Sequence, residues 1–228
     1  MDKLNKPSLV INSIIVVLFL FGMITSLCSW QWMGINGNLT PETNNFLWFF
    51  TVDSNILLAV ASLILVIYEL LIHFHKQEKI PHWVYVFKYV AVTSTTLTLL
   101  TVIFYLSPLL GANFWKLFLN SNLFFHLVSP VLGLVTLIFF ENEEGFSWKI
   151  SFLSLVPMGL YSIFYITNVY THLNNGEVDP KYDFYYFASN GVGATIVVII
   201  MMFLVTFGSA FLIYFLREKF HLKNPNIK

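Results

Sequence analysis

An all-α integral membrane protein, a single bundle of six transmembrane helices over residues 1–228, is the fold class this sequence predicts, and three observations predict it. The chain is 57% hydrophobic and only 11% charged, where a soluble domain carries about a quarter charged residues. Six apolar runs reach the roughly 20 residues needed to cross a bilayer, each bounded by polar, Gly or Pro punctuation. The connections between the runs are short, so no residues remain for a separate soluble domain.

The first run, Ser8 to Trp30, follows Lys3 and Lys6 as a signal sequence would. It is long enough to span, and no Ala-x-Ala site follows, so it reads as a retained helix. The second run extends from Phe46 to Phe74 and the third from Val84 to Leu110. The third carries Thr93, Ser94, Thr95, Thr96, Thr98 and Thr101 near mid-span. Such hydroxyls bond back to their own helix, so their expected role is packing. The remaining runs are Phe118 to Phe140, Trp148 to Tyr170 and Gly191 to Leu216. Between the last two, residues 171–190 hold Gly176, Pro180 and the aromatic group Tyr182, Phe184, Tyr185, Tyr186 and Phe187. That segment reads either as a lid folded over the bundle or as a loop anchored at the interface. Trp30, Trp32, Trp48 and Trp115 fall near the same end of the bundle, as an interfacial aromatic belt does.

Lys and Arg set the orientation. With both termini on one side, that side collects Lys3, Lys6, Lys76, Lys79, Lys88, Lys149, Arg217, Lys219, Lys223 and Lys228, against Lys116 and Lys181 on the other. The positive-inside rule then places both termini in the cytoplasm, with the cell membrane as the location. The acids Glu141, Glu143 and Glu144 fall on that inner side and read as a solvated loop.

Composition also excludes function classes. A net charge of zero gives no basic footprint for nucleic acid. The single cysteine, Cys28, allows neither a disulfide framework nor a multi-cysteine metal site, and its expected role is packing. Neither a Gly-rich phosphate loop nor a paired-carboxylate metal motif occurs, so no metal and no cofactor is implied.

Two stretches carry chemistry. From Phe46 to Leu58 the sequence reads FLWFFTVDSNILL and sets Thr51, Asp53, Ser54 and Asn55 inside an apolar run. On a helix Thr51, Ser54 and Asn55 share a face and Asp53 points elsewhere. An acid at membrane depth is costly and marks a functional candidate. From Asn120 to Pro130 the sequence reads NSNLFFHLVSP, and Asn122, His126 and Ser129 share a face at i, i+4 and i+7. His73, His75, His82, His172 and His221 lie at ends or in loops, whereas His126 sits within a membrane run. Pro130 removes the donor for the His126 carbonyl, which predicts a kink there.

Counted from Phe46 and Phe118, Thr51 and His126 share a level about 8–12 Å below their helix starts. Thr25, Ser26, Ser29, Tyr165, Asn168, Ser189 and Asn190 fall in the same half, which predicts a polar chamber opening outward. A Thr hydroxyl is a weak nucleophile that needs a base, and imidazole suits that task. Thr51 and His126 form such a pair. Asn55, Asn122 or a hydroxyl would donate to the oxyanion, and Asp53, Ser129 or Asn168 would orient the imidazole.

These residues resemble the androgen-induced and androgen-dependent TFPI-regulating family of multi-pass membrane threonine hydrolases, with its six-helix bacterial branch. The resemblance rests on Phe-Thr-x-x-Ser-Asn at Phe50–Asn55, His-x-x-x-Pro at His126–Pro130 and Val-Pro-Met-Gly at Val156–Gly159. It implies Thr51 as nucleophile, His126 as base, and hydrolysis of fatty acid esters of hydroxy fatty acids. The implied partners are a lipid or acyl-ester substrate and the surrounding membrane lipids.

Other function classes compete. A transporter for a small solute or proton would use Asp53 and His126 as relay groups, although little polarity beyond Asn12, Ser13 and the third-run hydroxyls continues toward the inner end. A haem carrier would need paired axial ligands, and His126 alone qualifies. A purely structural scaffold leaves the clustered polar residues without a purpose.

Overall fold

The computed structural model describes residues 5–34, 45–141, 143 and 146–223, with side chains described as far as residue 220. Lys3, Lys228 and Glu144, used above in reading orientation and the acidic loop, lie outside the described residues, as does the Lys223 side chain. Among the described residues the chain forms helices and no strand, with a single isolated bridge between Asn174 and Glu177.

Six helices are long and apolar enough to cross a membrane: α1 (Lys6–Leu27), α2 (Phe50–His73), α3 (His82–Phe118), α4 (Ser121–Phe140), α5 (Trp148–Thr171) and α6 (Val192–Phe220). Their boundaries follow local chemistry. The Asn5 side chain accepts from the Ser8 amide at 3.2 Å and caps α1. Pro81 stands just before α3, and Gly191, at φ +87°, just before α6. Gly111, in the last part of α3, and Asn120, in the turn from α3 into α4, both have positive φ, at +53° and +55°.

Apolar groups face outward and polar groups inward, as an apolar solvent requires. Val197, Ile200, Leu204, Leu212 and Phe215 of α6 are exposed. Ser8, Asn12, Ser54, Asn55, Ser62 and the α3 hydroxyls are buried. Those of Thr93, Ser94, Thr95, Thr96 and Thr98 bond back to carbonyls of α3, as expected of packing hydroxyls. Helices pack closely where glycine permits. A Cβ at Gly133 of α4 would meet Leu58 and Val92 at 3.3 Å, so this face of α4 sits directly on α2 and α3.

Two expectations change. Cys28, expected to pack, is exposed. More consequential is the end of the bundle bearing the termini, where Lys88 and Arg217 appeared as flanking charges and Glu141 as part of a solvated loop. All three are buried, with at most 1% exposure. Lys88 Nζ donates to Asn12 Oδ1 at 2.7 Å and Ser62 Oγ at 2.6 Å. Asn12 Nδ2 in turn donates to Glu141 Oε1 at 2.8 Å. The Arg217 guanidinium lies over the Phe146 ring at 3.9 Å and donates to the Glu141 carbonyl at 2.8 Å. Polarity does continue to that end, as one connected network that joins α1, α2, α3, the end of α4 and α6. Charges near span ends look solvated in a sequence; here the packing of five helices encloses them, and each needs a partner to be tolerated.

Candidate active site

At the other end of the bundle lies a cavity of about 280 Å³, close to the lower end of the range for small-molecule pockets. Thr51 of α2 and His126 and Asn122 of α4 line it, with Phe49, Val52, Leu106, Leu109, Leu110, Leu117 and Phe125. Pro180, Phe184, Tyr185 and Tyr186 close it from the segment between α5 and α6. Thr51 and His126 are therefore brought to one cavity. Its walls are mostly apolar, with a polar part formed by Thr51, Asn122, His126 and Tyr185.

The polar chamber expected from sequence is not what forms. Thr25 bonds back to Gly22, and neither Ser26, Ser29, Tyr165, Asn168, Ser189 nor Asn190 lines the cavity. The depth also changes. A short turn at Phe46–Trp48 precedes α2, so Thr51 lies one residue inside its helix and His126 five inside α4. At 1.5 Å per residue these are roughly 2 and 8 Å, shallower than the run lengths implied.

How the two segments are joined follows from a local departure in α4. At Phe124–Val128 the helix widens to i→i+5 bonding, and the Ser129 amide goes to the Phe124 carbonyl. Pro130 has no N–H to give. The Phe125 carbonyl is thereby released from the helix, and Asn55 Nδ2 donates to it at 3.0 Å. The second proton of the same amide goes to the Thr51 carbonyl at 2.7 Å. Asn55 thus clamps the turn bearing Thr51 to the turn bearing His126. Gly22 of α1 makes room behind, since a Cβ there would stand 2.9 Å from the Phe125 ring. The expected kink at the His126 carbonyl is replaced by this wide turn one residue earlier.

Because both Asn55 protons are committed to carbonyls, Asn55 is not an oxyanion donor. Ser54 is not one either: its hydroxyl bonds the Thr51 carbonyl at 3.1 Å and Thr98 Oγ1 at 2.9 Å, outside the cavity. Asn122 lines the cavity beside His126. The imidazole is oriented by a backbone group. His126 Nδ1 donates to the Leu117 carbonyl at 2.6 Å, which leaves Nε2 as the acceptor nitrogen of the neutral ring. Asp53, Ser129 and Asn168, the sequence candidates for that task, do not line the cavity. Asp53 is half-buried on another face of α2. Ser129 Oγ and Asn168 Nδ2 have no partner among the described residues.

The roof was legible only as two alternatives, and the folded-back one forms. Asp183, fully buried, accepts from the Tyr165 hydroxyl, the Ala188 amide and Ser189 Oγ. That knot holds Phe184 and Tyr185 down on Phe49, with ring centroids 4.7 and 6.2 Å away. The Tyr185 hydroxyl reaches the Thr51 and Tyr161 side chains and the backbone at Phe50 and Thr51. Burial pushes that hydroxyl up to about 12, against the ordinary 10, with these hydrogen bonds opposing the rise. Sequence reading named neither Asp183 nor Tyr185 as a site residue; the acid inside the aromatic run was the available signal.

No family model matches the chain, and neither does any curated protein or solved structure.

Proposed function

We propose that this protein is an intramembrane lipid-ester hydrolase with Thr51 as nucleophile and His126 as general base. The observation that carries the reading is the shared cavity: a hydroxyl and an imidazole line one largely apolar void. A resting Thr hydroxyl is unreactive, and a nearby imidazole with a free acceptor nitrogen is what activates it. His126 Nε2 takes the Thr51 proton as Oγ attacks the ester carbonyl. The proton then passes to the leaving alcohol, and water, deprotonated by the same nitrogen, releases the acid. Asn122 is the candidate oxyanion donor from α4.

The apolar walls from Leu106, Leu109, Leu110 and Leu117 fit an acyl chain, in keeping with the substrate class that the family resemblance implies, fatty acid esters of hydroxy fatty acids. Even without the buried Lys88 and Arg217, the side bearing the termini keeps Lys3, Lys6, Lys76, Lys79, Lys149, Lys219, Lys223 and Lys228 against Lys116 and Lys181. That bias supports both termini in the cytoplasm and the site near the outer face, for a protein of the cell membrane. The transporter reading has less support, because Asp53 is not on the cavity wall with His126.

The test is turnover. Purified protein in detergent should hydrolyse a long-chain acyl ester, and Thr51→Ala and His126→Ala should each abolish the activity. Solute flux in proteoliposomes without any Thr51-dependent ester cleavage would replace this reading with the transporter.

A further inference from the structure

Within the hydrolase reading, on which this step rests, we infer that Tyr185 is a catalytic residue: its hydroxyl, delivered by the roof segment, donates to the oxyanion formed when Thr51 attacks. Three observations carry the assignment. Tyr185 lines the cavity together with Thr51 and His126, and it also lines a smaller void of about 30 Å³ behind Thr51. Its hydroxyl reaches the Thr51 side chain, so it stands beside the atom that attacks. Finally, its proton is available. Tyr161 donates its own proton to the Trp48 carbonyl at 2.7 Å. Tyr161 commits its proton there, and the proton left to give in this pair belongs to Tyr185.

At rest the Tyr185 oxygen accepts, as hydrogen bonds that oppose the rise do, and its own proton is left to give. On attack, the Thr51 Oγ to carbonyl-carbon bond forms, the Oγ proton moves to His126 Nε2, and the carbonyl electron pair moves onto oxygen. Tyr185 turns its O–H toward that oxygen. The phenol keeps its proton throughout, as a buried hydroxyl with so high an affinity for it should. When the tetrahedral centre collapses, the electron pair returns, the alkoxide leaves with the proton from His126, and the Tyr185 bond relaxes. Deacylation by water repeats the cycle with the same donor. Such donors act mainly in the transition state, so their loss lowers kcat more than it raises KM.

The roof fits the role mechanically. Asp183 pins the segment from below, and Tyr105 donates to the Tyr185 carbonyl at 3.1 Å. Tyr186, next in the chain, holds a left-handed backbone at φ +58°, an unusual state for an aromatic residue that the neighbouring contacts over-determine. The main chain at 185 is thus held in place, which sets the hydroxyl beside Thr51.

The experiment compares full-length wild type, Thr51→Ala, Tyr185→Phe and a variant with 3-fluorotyrosine at 185, each in detergent, by steady-state cleavage of a p-nitrophenyl acyl ester and by thermal unfolding. Tyr185→Phe should lower kcat by about 10²–10³-fold, the loss seen when one oxyanion donor is removed, with KM within about twofold. The fluorotyrosine protein keeps shape and hydroxyl and should retain kcat within a few-fold; if Tyr185→Phe fails to fold, this variant decides. Wild-type kcat in Tyr185→Phe, or a fluorotyrosine protein as impaired as a deletion of the hydroxyl, overturns the assignment while Thr51-dependent turnover stands. Absence of Thr51-dependent turnover in the wild type overturns the hydrolase reading and this assignment together.

Discussion

Asn55 Nδ2 and the Phe125 carbonyl meet at 3.0 Å, 70 residues apart in the chain, and this bond fixes how the Thr51 turn faces the His126 turn. It exists because a wide turn and a proline leave that carbonyl without a helical donor.

Replacing Asn55 by Leu should therefore do more than remove one contact. An orphaned buried carbonyl costs about 1–3 kcal/mol, and the two segments lose their cross-link. Thermal unfolding in detergent should show the destabilisation, and ester turnover should fall at least tenfold. Undiminished turnover in a destabilised protein would show that the clamp holds the fold without setting the geometry.

The Leu117 carbonyl can only accept, so the proton on His126 belongs to Nδ1. Nitrogen NMR of histidine-labelled protein at neutral pH should find His126 in that tautomer, with Nε2 unprotonated. An Nε2–H tautomer would remove the base from the mechanism.

Thr51 and His126 were legible in the sequence because a hydroxyl cluster and an imidazole are conspicuous in apolar runs. Their supports were not. Leu117 orients the imidazole through its backbone, which residue type does not advertise. Asn55 was recognised as polar and in place, but its role as clamp depends on a wide turn that no residue pattern announces. Asp183 and Tyr185 sit in a segment whose path over the bundle follows from tertiary packing alone. The six helices were legible from apolar run length; the burial of Lys88, Glu141 and Arg217 was not, because it depends on five helices converging at one end.

That inner network gives a stability prediction independent of function. Lys88→Ala should destabilise the protein by about 1–3 kcal/mol, since it leaves the buried Asn12 Oδ1 and Ser62 Oγ without their charged donor. An unchanged unfolding midpoint for Lys88→Ala would mean that the network contributes nothing to stability.

Tyr185 supplies the pH dependence. Its hydroxyl titrates near 12 in the folded protein and near 10 when unfolded. Between those values the folded state holds a proton that the unfolded chain has lost, so this stabilisation is complete below about pH 10 and declines as pH rises toward 12. The difference in phenolate absorbance between wild type and Tyr185→Phe should have its midpoint near 12. A midpoint near 10 would place the hydroxyl in water.

The most direct measurement is to treat the detergent-purified protein with a fluorophosphonate and find the adduct by peptide mass spectrometry. The account predicts a single modified residue, Thr51, with labelling abolished in His126→Ala. An adduct on another side chain, or undiminished labelling of Thr51→Ala, would contradict it.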